Sequence, residues 1–184
     1  MKHGPAIILT ALRLLALVCA CAAMPAQADD YGDVNQLLRG GKLVEAMAKA
    51  DAYLAAKPRD PQMRFLKGVM QSKAGKQAEA IITFTKLNED YPELPEPYNN
   101  LAVLYAGQGQ LDKARAALEM AIRANPEYAT AQENLGDVYT RLASQAYAKA
   151  LQLDSSNPSV PAKLSLLREL LSPASKGQGS PVIR

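Results

Sequence analysis

Histidine and cysteine are almost missing from this 184-residue sequence: one histidine, His3, and two cysteines, Cys19 and Cys21, all near the start. A chain beginning after that region has no thiolate nucleophile, no disulfide and no Cys-based metal site. It also lacks the commonest general base, so an enzyme would have to run on carboxylates, lysine, serine or tyrosine. The composition therefore points away from an enzyme, with no catalytic set, metal or cofactor expected. Aromatic residues are few, eight tyrosines and two phenylalanines, and most fall at positions whose periodicity marks them as core. Long apolar runs are absent too. The run at residues 14–23 is short of the ~20 residues that a spanning helix needs.

That run has the form of an export signal. Lys2, His3 and Arg13 precede or open it, and Ala26-Gln27-Ala28 offers small residues before Asp29. The expectation is a signal peptide over residues 1–28, cleaved after Ala28, and a periplasmic mature chain. Val18-Cys19-Ala20-Cys21 is also a poor imitation of a lipoprotein signal, so lipidation at Cys21 stays open. It is the only route by which a membrane would become a partner. The formal charge of +3 belongs largely to this leader. Residues 1–28 hold Lys2 and Arg13 and no acid, and removing them leaves +1. The remaining bases, Lys73, Lys76, Lys86, Lys113, Arg115 and Arg123, are interleaved with acids, so no nucleic-acid surface is expected.

From residue 29 onward the chain repeats itself. Gly109, Ala114 and Pro126 recur 34 residues earlier as Gly75, Ala80 and Pro92, and again as Gly41, Ala46 and Pro58. Within residues 95–128, Leu101, Leu104 and Tyr105 share one helical face, and Leu111, Ala114, Leu118, Ala121 and Ile122 share another. The glycine-containing run between them is a break, and Pro126 stops the second helix. Small residues at Ala102, Ala114 and Ala121 let two helices approach closely. Gly107-Gln108-Gly109 reads as that inter-helix turn, because a phosphate-binding glycine loop needs a strand before it.

This unit resembles the tetratricopeptide repeat, a 34-residue helix–turn–helix that stacks into arrays. The resemblance implies an all-α right-handed solenoid of antiparallel helix pairs and a protein-interaction module with a concave groove. The division expected is a degenerate first repeat (29–60), second and third repeats (61–94, 95–128), a shortened fourth (129–157), a capping helix (158–171) and a disordered tail (172–184). In the second repeat Gly68 supplies the small residue and Lys67 replaces a leucine-type contact. The helicity of residues 29–39 is left open.

The fourth repeat departs from the period. Asn134, Leu135, Gly136 and Tyr139 match Asn100, Leu101, Ala102 and Tyr105, but five residues, including the turn, are missing before the next match. Leu135, Tyr139, Leu142, Ala146, Ala150 and Leu153 keep one helical face through the gap. A single helix over residues 131–153 is predicted, its apolar face covered by a helix at 162–171 or by a second copy of the protein. A homodimer through the fourth repeat is thus one expected arrangement.

Carried from the family onto matching positions, the groove should be lined by Phe65, Val69 and Lys73, then Asn99, Val103 and Ala106, then Glu133, Asp137 and Arg141, with Asn100 beside them. Chaperone-tail receptors of this family hold a carboxylate with five basic or amide side chains. Here those places read Phe65, Val69, Asn100, Thr130 and Asn134, one match in five, so an acidic chaperone tail is not the expected ligand. A periplasmic adaptor for a protein or peptide is the leading expectation; a lipid-anchored component of outer-membrane or pilus assembly is the alternative.

Overall fold

The computed structural model describes residues 30–171; the expected leader and tail lie outside the described residues. The described chain forms eight α-helices: α1 (Asp30–Arg39), α2 (Leu43–Ala56), α3 (Pro61–Lys73), α4 (Gln77–Asp90), α5 (Pro95–Gly107), α6 (Leu111–Ala124), α7 (Ala129–Leu153) and α8 (Ser159–Leu170). α1 is helical throughout its ten residues, and its apolar anchor, Val34, is fully buried. The helices form a right-handed solenoid of antiparallel pairs, α1/α2, α3/α4 and α5/α6, followed by the long α7 and a capping α8.

One turn is used three times. Gly75 and Gly109 have φ of 75° and 72°, and Gly41 repeats the geometry. The next residue's N–H returns to the helix, from Lys76 to the Gln71 carbonyl and from Gln110 to the Tyr105 carbonyl, each at 2.9 Å. This left-handed cap satisfies carbonyls that would otherwise be orphaned, and glycine takes that backbone without a Cβ penalty. The recurring prolines stand one residue beyond the C-caps Lys57, Tyr91 and Asn125. Pro95 opens α5, and Pro97 sits buried in its first turn.

Close packing follows the small residues. Ala80, Ala114 and Ala121 are fully buried and Ala102 nearly so. At Gly68 an added Cβ would lie 2.6 Å from the Phe84 ring, so the ring occupies the space that the missing side chain leaves. Lys67 does not pack as a leucine would. It reaches Asp51 of the preceding repeat at 2.6 Å.

The first repeat is tied to the second by a polar cluster. Asp60 caps α3 by accepting from the Met63 N–H at 2.8 Å, and accepts from the Tyr31 and Tyr53 hydroxyls at 2.5 and 3.1 Å. Burial alone would raise the Asp60 carboxyl. The hydrogen bonds from Tyr31, Met63 and Tyr53 and the charge of Lys57 outweigh it and hold the group below the ordinary carboxylate range. A depressed folded value means stability that is present above the ordinary carboxylate range and is lost as pH falls through the folded one. Asp60→Asn is expected to flatten the acid limb of a stability-versus-pH curve followed by circular dichroism; an unchanged limb would refute the assignment. Asp60→Ala is expected to cost about 1 kcal/mol at neutral pH through the lost cap.

α7 runs unbroken for 25 residues, about 37 Å at ~1.5 Å per residue, two residues longer at its start than expected. α8 differs more. It begins at Ser159 rather than 162, and it buries Val160 and Leu164 while Leu166 and Leu170 stay 64% and 62% exposed. It also leaves half of the expected α7 stripe exposed. Ala146 is exposed, and Tyr139 and Leu153 are 48% and 76% exposed. The reason is angular: α8 docks on the second half of α7 from the side that carries Tyr147, where Lys163 lies over the ring at 5.1 Å.

Candidate functional site

The first helix of each repeat presents the same positions to one side of the solenoid, because a 34-residue period returns each helix to the same rotation. One column runs Tyr31, Phe65, Asn99, Glu133, the next Asn35, Val69, Val103, Asp137, and a third Arg39, Lys73, Gly107, Arg141. Between α5 and α7 these columns enclose a pocket of about 230 Å³. Ala102, Ala106 and Gly107 make its shallow wall, Leu118 of α6 reaches it from below, and Val103 and Val138 flank it. Asn134, Asp137 and Arg141 supply its polar edge. A Cβ added at Gly107 meets nothing within 4 Å, so the wall is open to solvent at that position.

Of the expected groove residues, Val103, Ala106, Asp137 and Arg141 are brought together here. Arg141 lies against the Ala106 carbonyl, Nη1 to oxygen 3.5 Å. Asn99 is buried on the same side, where its side-chain oxygen accepts from the Asn134 Nδ2 at 2.7 Å. That bond joins the third repeat to the fourth. Phe65 is partly buried, its ring 5.8 Å from that of Phe84 and tilted by 50°, and Lys73 and Glu133 are exposed away from the pocket.

Two expected positions belong elsewhere. Val69 is 6% exposed and packs in the main core, because α3 lies close enough to α5 to cover it. Asn100 is 5% exposed and donates to the Glu96 carbonyl one turn back at 2.9 Å, so its amide steadies the start of α5. Asn134 is expected from the sequence as a repeat match and as one of the five places of the carboxylate-holding pattern, not among the groove-lining residues. Its spacing of 35 from Asn99, one period and one residue, is the signal that could have placed it at the groove. Tyr31 also escaped notice as the first member of the Phe65 column. Its hydroxyl, raised by burial and then by the hydrogen bond to Asp60, stays protonated as that donor. Among the described residues no helix is long and apolar enough to cross a membrane.

An antiparallel helix-pair solenoid with a small-residue groove on its first helices is the architecture of a repeat scaffold. Residues 31–95 and 99–158 match the tetratricopeptide repeat model, and the chain belongs to that family. It is 39% identical over 77 residues to the chloroplastic tetratricopeptide repeat domain-containing protein PYG7 of Arabidopsis thaliana, over 39% of this chain and 26% of that protein. The chain thus spans about a quarter of that relative's length. Among solved structures it resembles TTC0263, a thermophilic tetratricopeptide repeat protein of Thermus thermophilus, at TM-score 0.57 and 24% identity, covering 78% of this chain and 82% of that one. It also resembles PcrH in complex with the chaperone binding region of PopD, at TM-score 0.55 and 18% identity, covering 61% of this chain and 90% of that one. At these identities the likeness shows the fold. That fold supports a protein–protein interaction scaffold.

Proposed function

We propose that this chain is an exported adaptor that works in the periplasm, holding an extended or helical segment of a partner protein against its first helices. The observation that carries the reading is the pocket between α5 and α7. About 230 Å³ with an apolar wall suits one aliphatic or aromatic anchor side chain, and Asn134, Asp137 and Arg141 at its edge can pair with the segment's backbone or charges. Phe65 extends the apolar surface toward the second repeat. The complex of the similar PcrH with a segment of PopD supports a peptide-like ligand. Export rests on the apolar run before Ala26-Gln27-Ala28, and N-terminal sequencing of the purified protein is expected to begin at Asp29. A start at Met1 would overturn the export step.

A Phe65→Ala, Asp137→Lys double variant is expected to keep its helical circular dichroism and to lose its partner. A partner retained by the folded variant would move binding to the convex face or beyond the described residues. The Val18-Cys19-Ala20-Cys21 pattern favours one second reading, a lipid-anchored component of envelope assembly. Metabolic incorporation of a lipid precursor, abolished by Cys21→Ser, is its test; no incorporation rejects it.

A further inference from the structure

The third column of the first helices carries charge of one sign. It reads Arg39, Lys73, Gly107, Arg141, and because Gly107 and Arg141 both line the pocket, the 34-residue period sets Lys73 and Arg39 on the same side of the solenoid. Arg39 and Lys73 are exposed, and neither forms an ion pair among the described residues. Other bases are taken up inside the fold. Lys49 pairs with Asp33, Arg64 with Asp90 at 2.6 Å, and Lys67 with Asp51 at 2.6 Å.

A base in the last turn of a helix also suits that helix's own dipole, and Arg39 and Lys73 stand there in α1 and α3. That reason does not extend to Arg141. It lies twelve residues before Leu153, where α7 ends, and its Nη1 is 3.5 Å from the Ala106 carbonyl at the end of α5. The acids of the three columns, Glu133 and Asp137, both belong to α7; through the first three repeats the columns hold no acid. They are therefore positive along α1 and α3 and mixed along α7. Between the two lies an uncharged gap at Gly107, where the pocket opens.

We propose that the segment held in the groove is acidic on both sides of its apolar anchor. The inference rests on the groove as the binding face and adds the chemistry of its occupant. The anchor enters the pocket beside Gly107, and the flanking carboxylates meet Lys73 on one side and Arg141 on the other, with Arg39 placed to take a further one. Asp137 at the pocket's edge sets the opposite rule for the anchor itself, since an acid there would meet a like charge. The spacing follows from the scaffold. α3 touches α5 and α5 touches α7, helices in contact stand about 8–10 Å apart, and a polyproline-II segment returns to the same face every third residue after about 9 Å. The expected pattern is acid-x-x-apolar-x-x-acid. This column is separate from the five carboxylate-holding places Phe65, Val69, Asn100, Thr130 and Asn134, so the ligand needs no chain terminus.

The test is selection of displayed random peptides on the purified protein at low salt, followed by crosslinking of the enriched peptides to a photo-reactive side chain at Val103. The expected peptides carry acids three residues to either side of an aliphatic or aromatic residue, form adducts at Val103, and bind more weakly as salt is raised. Lys73→Glu, a change at an exposed side chain, is expected to keep its helical circular dichroism and to weaken them about tenfold. A peptide with lysine in place of the acid on that side is expected to recover the loss on this variant, which damage to the fold would not allow. Peptides that form adducts at Val103 without flanking acids, or whose affinity Lys73→Glu leaves unchanged, overturn the inference and leave the groove standing. Adducts at Ile82 with none at Val103, or no enriched peptide, overturn both.

Discussion

Phe84→Ala is expected to cost about 3–5 kcal/mol of folding stability, because it empties the largest fully buried side chain of the second repeat. The ring touches Gly68, stacks at a tilt on Phe65, and belongs to the core cluster that runs from Val69 to Val138. The two closest small positions cannot fill the void. Gly68 has no side chain to move in, and Ala80 is a single methyl. The complementary change, Gly68→Ala, forces a Cβ toward a ring 2.6 Å away and is expected to cost about 1–3 kcal/mol by overpacking. Urea denaturation reads both, since a change in midpoint at constant slope is a change in stability. A Phe84→Ala loss below about 1 kcal/mol would contradict this packing. Stacked repeats are held by their neighbours, so the damage is expected to spread into α1 and α2 as well.

Asn88→Leu is expected to act in the opposite direction and stabilise the fold by about 1–3 kcal/mol. Asn88 is 7% exposed, and neither side-chain atom has a hydrogen-bond partner. A buried amide without partners keeps its desolvation cost and returns nothing for it. One period before and after, the same position is Leu54 and Ile122, both packed against the core clusters. Leucine at 88 therefore restores the apolar column with a side chain of similar size. Thermal or urea unfolding of the single variant checks this, and a destabilised Asn88→Leu would show that the amide has a partner in solution.

How much of this was legible beforehand follows from which forces are local. The three left-handed turns and the proline stops depend on single residues with unusual backbone preferences, so the spacing of Gly41, Gly75, Gly109 and their prolines marked helix ends. The fused α7 was legible for the same reason, since the deletion at residues 140–145 removed the glycine that a reversal needs. Burial was not. Val69 and Val103 occupy the same column and carry the same side chain, yet one is core and the other lines a pocket, because α5 covers the first while the second faces the gap between α5 and α7. Asn100 looked like a ligand-facing amide, but its bond to the Glu96 carbonyl is set by its own helix. The Asp60 cluster was hidden because Tyr31, Tyr53 and Asp60 come from three segments and have no counterpart in the later repeats. The α7 stripe ran through the sequence as expected, but the side from which α8 docks is a tertiary choice that helical periodicity does not encode.

The groove itself is tested most directly by placing a photo-crosslinking side chain at single positions in cells and comparing faces. Val103 and Ala106 report the pocket between α5 and α7, while Ile82 and Met120, 56% and 36% exposed on the second helices, report the opposite face. The expected result is one discrete adduct from Val103 and Ala106, absent from Ile82 and Met120 and lost in the Phe65→Ala, Asp137→Lys variant. Adducts from Ile82 and Met120 with none from Val103 or Ala106 would contradict a groove-bound partner.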